Sequence, residues 1–247
     1  MHRPPTLAEV HSQGIALLVG SAPHANVWFT NREGGVSRGP YASLNVAARV
    51  GDHPAAVGEN RRRAAAAAGF DVTGLTFSRQ VHGKSVLEIG TKPDGPMVAG
   101  VADVLVTRRP NVILGILVAD CAPVVLAGER GLAVVHAGWR GLVEGVVESG
   151  VASVAPVRSA WIGPSIHACC YEVGPAVVAA FRERGLPIAD DRHVDPGMSA
   201  VAELRRLGVE RVVMSDDCTS CDTRYFSYRR DGTTGRQAAF ACLSEPQ

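Results

Sequence analysis

The chain has 247 residues, 46% of them hydrophobic, enough to bury a sizeable core without disulfide or metal staples. Its 25 basic and 24 acidic residues leave a formal charge of +1, which argues against the basic footprint of a nucleic-acid binder and points to a small-molecule substrate. No stretch approaches the roughly 18 or more apolar residues of a membrane span, and six cysteines in a long, core-rich chain suit a reducing cytoplasm better than a disulfide framework.

Near the start, residues 15–19 are apolar, but the run is shorter than the roughly 7 residues of a signal-peptide core, and the nearest upstream charge is the acidic Glu9. Residues 27–30 read as a strand and 31–41, with Gly34, Gly35, Gly39 and Pro40, as a loop. Residues 54–69 read as a helix: Asn60-Arg61-Arg62-Arg63 precedes five alanines, and Gly69 suits the C-terminal end. The basic triplet reads as a solvated helix face.

From residue 112 the texture changes. The apolar runs 112–118, 123–127 and 132–135 read as buried strands, with a hairpin turn at 128–131 between the last two. A helix is expected over 142–149, a strand over 160–163, a helix over 175–184, helical pattern again over 201–207, and a late strand over 211–214. No repeat or low-complexity linker divides the chain, so one domain is expected over 1–247.

The hairpin has a chemical consequence. If residues 128 and 131 face each other across the turn, Pro123 lies opposite His136 and Cys121 opposite Gly138. Residues 121 and 123 share a face of the strand, so Cys121 and His136 become diagonal neighbours on one face, with Cβ atoms roughly 7 Å apart. A thiolate and an imidazole can then reach one ion at about 2.0 to 2.3 Å. His82 in Ser78-Arg79-Gln80-Val81-His82-Gly83 is a candidate third ligand, because Gly83 permits close approach of another backbone. Three protein ligands with a fourth position open describe a catalytic zinc site. The same geometry equally accommodates a buried free cysteine beside a hydrogen-bonded core histidine.

The wording of the segments adds a resemblance. Phe29-Thr30-Asn31-Arg32-Glu33-Gly34-Gly35-Val36-Ser37, Ser43-Leu44-Asn45, Gly51-Asp52, Gln80-Val81-His82-Gly83 and Ala119-Asp120-Cys121-Ala122-Pro123 come first. His136-Ala137-Gly138-Trp139-Arg140-Gly141, then Gly163-Pro164 running to Cys169-Cys170-Tyr171-Glu172-Val173-Gly174, and Phe226-Ser227-Tyr228-Arg229-Arg230-Asp231 follow. In that order they resemble the YfiH family, formerly labelled laccase-domain or polyphenol-oxidase-like. The resemblance implies an α+β fold, a layered α/β/β/α sandwich with mixed sheets. It implies zinc on His82, Cys121 and His136. It further implies phosphorolysis of adenosine, inosine and S-methyl-5'-thioadenosine, with adenosine deamination as a second activity. Some members of the family are described as editing factors in peptidoglycan-precursor synthesis.

Purine nucleosides and phosphate are then the expected partners, with no nucleic acid and no membrane. Deamination needs an activated water and a proton shuttle, for which Asp120 is the candidate in the absence of a glutamate adjoining the ligands. A hydrogen-bonded strand-end carboxylate is its alternative reading. Phosphorolysis needs an anion held against the ribose, and Arg140, Arg229 and Arg230 have the guanidinium fork for it. Asn45 and Gln80 can bond base or ribose, or merely shape loops. Cys169 is a candidate pocket residue beside Cys170, although adjacent cysteines are expected to point apart and not to chelate one ion. Cys218-Thr219-Ser220-Cys221 has the spacing of half a zinc knuckle, with no second half apparent. Trp139 reads equally as core aromatic or purine platform.

Multicopper oxidation is disfavoured: the chain has 8 histidines and no His-Xaa-His pair. Copper borrowed by the zinc site remains a substitute, since copper outranks zinc in site affinity. The rivals from other classes are a metal-free hydrolase with Cys121 as nucleophile and His136 as base, and a structural protein whose metal only holds loops.

Overall fold

The apolar runs form two mixed sheets stacked face to face, in a computed structural model that describes residues 6–244. The chain opens with an antiparallel meander of β1 (Thr6–Ser12), β2 (Ile15–Ala22) and β3 (Ala25–Thr30). Helix α1 (Pro54–Ala68) carries proline in its first turn and stops at Gly69, whose φ of 76° only glycine adopts without cost. Strands β4 (Leu75–Arg79), β5 (Val86–Ile89), β6 (Met97–Val101) and β7 (Val104–Thr107) then alternate between the two sheets. After β8 (Ile113–Val118) comes the hairpin β9 (Ala122–Gly128) and β10 (Gly131–Ala137). The rest comprises α2 (Trp139–Glu144), α3 (Val146–Val154), β11 (Val157–Ile162), α4 (Pro175–Arg184), α5 (Pro196–Arg206), β12 (Val212–Met214), α6 (Tyr228–Asp231) and β13 (Gln237–Leu243).

The seven-stranded sheet has the order β1-β2-β3-β13-β8-β4-β6 and the six-stranded sheet β12-β11-β9-β10-β7-β5. Three apolar interfaces define the layers. Ala64 of α1 packs with Leu75, Phe77 and Phe240 on the outer face of the first sheet. Val27, Phe29, Ile116, Val125, Val134 and Trp161 fill the space between the sheets. Val124, Leu126, Ala133 and Val135 meet α2, α3, α4 and α5 on the far face of the second. This is the α/β/β/α sandwich expected from the resemblance. Among the described residues no helix is long and apolar enough to cross a membrane.

Several local expectations shift. The helix expected over 142–149 is two helices, because Gly145 enters the left-handed region at φ 93° and ends α2 before α3 begins. The pattern at 201–207 belongs to a helix that already starts at Pro196, capped by Asp195, which accepts the Met198 N–H at 2.8 Å. Residues 15–19, tested as a leader core, lie within β2. The alanine-rich composition of β13 favours a helix, yet it is a central strand paired to both β3 and β8.

Candidate metal centre and its pocket

The hairpin register is the one the turn implies: Gly131 pairs with Gly128 and His136 with Pro123. Alternation then separates the faces. Ala133, Val135 and Ala137 turn to the helices, while Leu132 and Val134 turn to the other sheet. His136 follows the second set by parity, and Cys121, just before β9, packs against the same inter-sheet core. His82 arrives from the loop after β4. One ligand atom from each of His82, Cys121 and His136 lies within 4.8 Å of the others, the spacing of a three-ligand metal group. Cys121 Sγ is 3.8 Å from His82 Nε2, and the two imidazoles meet edge to face at 4.7 Å.

Asp103, at the entry to β7, organises this group and was not singled out from sequence. Its carboxylate is fully buried and accepts the N–H groups of His82 at 2.9 Å, Gly83 at 2.8 Å and Val81 at 3.2 Å. Those bonds hold His82 at φ 61°, a conformation unfavourable to a side chain. Asp103 Oδ1 also sits 2.8 Å from His136 Nδ1, which leaves Nε2 of that ring for the site. A carboxylate in the apolar run Ala102-Asp103-Val104-Leu105-Val106 must find donors, and that was the available signal.

Electrostatics within the trio are set by opposing effects. Burial pushes the Cys121 thiol up, but the His136 charge and the hydrogen bonds of both histidines outweigh it, and the thiol falls to about 6. Burial pushes His136 down, but Cys121 and Asp103 outweigh it, and His136 rises to about 9. A deprotonated thiol beside two imidazoles is a donor set that binds zinc or copper. Close approach to the trio is made possible by Gly138 rather than by Gly83: a Cβ at Gly138 would lie 2.7 Å from His82 Cδ2 and 3.1 Å from Cys121 Sγ. At Gly83 the nearest atom would be 3.6 Å away.

The trio opens into a cavity of about 720 Å³, within the size range of small-molecule sites. Six arginines line it: Arg49, Arg61, Arg79, Arg140, Arg229 and Arg236. Among the described residues lining it, Asp120 is the single carboxylate. Four of the guanidinium groups stack on rings, Arg140 on Trp139 at 4.5 Å, Arg61 on Phe77 at 4.7 Å, Arg229 on Tyr171 at 5.0 Å and Arg236 on Tyr228 at 5.9 Å. Burial first, and the Cys121 charge next, push the Tyr171 hydroxyl up to about 12. Arg61 thus departs from the solvated face expected of its triplet; Arg62 and Arg63 pair with Glu59 as surface residues do.

The other sequence candidates divide. Gln80 lines the cavity, with its amide locked in two bonds to the backbone of Leu117, at 2.7 and 2.9 Å. Asp120, at φ 101°, accepts the Thr219 hydroxyl at 2.7 Å and the Arg229 N–H at 2.7 Å. Asn45 is fully buried behind the cavity and spends its amide on Ala47, Asp52 and the Arg236 N–H. Arg230 is turned to the carbonyls of Thr219, Ser220, Asp222 and Tyr225 and to Asp231, away from the cavity lining. Cys169 is not a lining residue either. It converges with Cys170, Cys218 and Cys221. Adjacent side chains diverge on an extended backbone; residues 168–170 form a turn instead, closed by the Cys170 and Tyr171 N–H groups on the His167 carbonyl at 3.0 Å.

The family described as multi-copper polyphenol oxidoreductase laccase matches residues 26–244. Purine nucleoside phosphorylase YfiH of Escherichia coli (strain K12) is 38% identical over 227 residues, covering 87% of this chain and 92% of that protein. The chain belongs to the laccase-like YfiH family. Purine nucleoside phosphorylase ORF3 of Streptomyces griseus is 41% identical over 252 residues, covering 92% of this chain and 97% of its own. The crystal structure of YlmD from Geobacillus stearothermophilus superposes with a TM-score of 0.84 at 32% identity, covering 98% of this chain and all of that one. The relatives' names support a YfiH enzyme of the purine nucleoside phosphorylase kind. The several coppers of the family description find few donors: among the described residues the candidate metal groups are the His-Cys-His trio and the four cysteines.

Proposed function

We propose that this YfiH-family chain is a zinc-dependent purine nucleoside phosphorylase acting on adenosine, inosine and S-methyl-5'-thioadenosine, with adenosine deamination as a second activity. The observation that carries the reading is a His-Cys-His metal group opening into an arginine-lined cavity of nucleoside size. Zinc held by His82, Cys121 and His136 supplies Lewis-acid polarisation and, for deamination, activates water.

The protein's own groups do the rest. Arg140, which is preset by stacking on Trp139, receives the phosphate, with Arg229 beside it. Phosphate binding at this wall brings the attacking oxygen against the ribose; the glycosidic bond breaks and the base leaves with its electron pair. Tyr171, Tyr228 and Trp139 offer ring faces to a purine. Asp120 holds the wall between Thr219 and Arg229 through one accepted bond on each oxygen, and the remaining lone pairs exchange a proton with the substrate. Gln80 orients substrate by fixing the edge of β8. The whole chain, 1–247, acts as one unit in a reducing cytoplasm.

One observation favours a second reading. Cys121, His136 and Asp103 follow each other as nucleophile, base and orienting carboxylate, the order of a metal-free cysteine hydrolase. Metal analysis of purified protein, followed by adenosine and phosphate with and without chelator, separates the two. Bound zinc with chelator-sensitive release of adenine or hypoxanthine is the expected outcome; full activity without metal would overturn the zinc reading. Zinc without turnover would favour a structural role.

A further inference from the structure

Four of the six cysteines meet at a second place, in two loops that the family motifs leave unexplained. One loop follows β11 and carries Cys169 and Cys170; the other follows β12 and carries Cys218 and Cys221. Their sulfurs all lie within 4.8 Å of one another. The close separations are 3.2 Å for Cys170 to Cys221, 3.6 Å for Cys169 to both Cys218 and Cys221, and 3.8 Å for Cys169 to Cys170.

We propose that Cys169, Cys170, Cys218 and Cys221 form a closed tetrathiolate site for a structural zinc ion, separate from the His82-Cys121-His136 centre and independent of what that centre does. Zinc–sulfur bonds of about 2.3 Å in a tetrahedron place sulfurs roughly 3.8 Å apart; four of the six separations here run from 3.2 to 3.8 Å and all lie within 4.8 Å. Cys218-Thr219-Ser220-Cys221 supplies one half of the knuckle, and the turn at residues 168–170 supplies the other by directing two adjacent thiols inward.

Two observations beyond the sulfurs point to a built site. The His167 N–H is directed at Cys218 Sγ at 3.4 Å, an arrangement that supports a ligating thiolate. Arg230 brackets the knuckle from outside, donating to the carbonyls of Thr219 and Ser220 at 2.9 and 3.2 Å, and brings a positive charge to a group that is doubly negative when filled. A disulfide uses two sulfurs at about 2.05 Å and leaves the convergence of the other two unexplained. Filling the site is not a redox step: four thiols lose four protons, four zinc–sulfur bonds form, and no electron is transferred.

The site is wired to the cavity. Thr219, inside the knuckle, donates to Asp120 at 2.7 Å; the Ile166 N–H donates to the Asp120 carbonyl at 2.8 Å; and Tyr171, next to Cys170, lines the cavity. A zinc here clamps both loops against the residue beside the ligand Cys121.

The test is metal stoichiometry on full-length protein purified without chelator. Two zinc ions per chain are expected, falling to one in Cys218→Ser/Cys221→Ser and to one in His82→Ala/Cys121→Ser. Cobalt added to the metal-stripped His82→Ala/Cys121→Ser protein should give the intense sulfur-to-metal charge-transfer band of a tetrathiolate. Should the cysteine variants fail to fold, the wild-type protein still decides: zinc should protect these four thiols from iodoacetamide, and chelator should expose them. Zinc content left unchanged by Cys218→Ser/Cys221→Ser, equal alkylation with and without zinc, or an intact mass lower by two hydrogens per disulfide overturns the proposal.

Discussion

Asp103 Oδ1 lies 2.8 Å from His136 Nδ1 while the same carboxylate receives the His82 N–H at 2.9 Å. One buried group therefore orients two of the three candidate ligands. Asp103→Asn keeps the shape but cannot accept from every donor, since its amide nitrogen turns N–H toward N–H. Affinity for zinc should fall about 10- to 100-fold, read by competition against a chromogenic chelator. Unchanged affinity would mean that the histidines are placed by packing alone.

Gly138 tests the crowding of the centre. A methyl group there meets the His82 ring at 2.7 Å and Cys121 Sγ at 3.1 Å. Gly138→Ala should displace a ligand, lower the zinc content of the trio, and cost roughly 1–3 kcal/mol of stability through overpacking. Metal analysis together with thermal unfolding checks both effects; full occupancy with unchanged unfolding temperature would refute the steric account.

Arg140 lines the cavity with its guanidinium stacked 4.5 Å from the Trp139 ring centre. Replacing it by glutamine removes a charged hydrogen bond to phosphate, worth about 1.5–3 kcal/mol. The KM for phosphate should rise roughly 10- to 100-fold, with a smaller change in the KM for nucleoside. Arg230→Gln should leave the phosphate KM near the wild-type value, because that side chain is turned to loop carbonyls.

In metal-free protein the Cys121 thiol has its midpoint at about 6 rather than 9.0. A lowered midpoint keeps the reactive thiolate present above pH 6 and loses it as the pH falls through 6. Alkylation of Cys121, followed by peptide mass spectrometry, should thus reach its plateau by about pH 7 and be suppressed by zinc. A midpoint near 9 would show that His136 does not hold the thiolate.

Much of the centre was legible because it depends on short range. The turn at Gly128 and Gly131 sets the register of β9 and β10, and a period of two places Cys121 and His136 on one face. Nothing local ties His82 to them: it stands 39 residues before Cys121 and reached the trio through family resemblance. Asp103 was readable as a buried carboxylate in need of donors, but not which donors. Arg140 and Arg229 were named as phosphate candidates and line the cavity, but Arg49, Arg61, Arg79 and Arg236, like the partners of Cys218, were not readable, since they come from segments far apart in the chain.

The sequence by itself determined the hairpin, the C-terminal Gly69 of α1, the span of α4, the sandwich through its resemblance, and the placing of Cys121 and His136 on one face. Those follow from turn chemistry and side-chain alternation, which act over a few residues. Only the tertiary structure decided that β13 is a central strand, that Arg61 enters the cavity while Asn45 and Arg230 turn away, and that Cys169 and Cys170 converge with Cys218 and Cys221. Contacts of that kind arise when sheets and loops dock, and the burial gained in docking outweighs the local preferences that a linear reading can see.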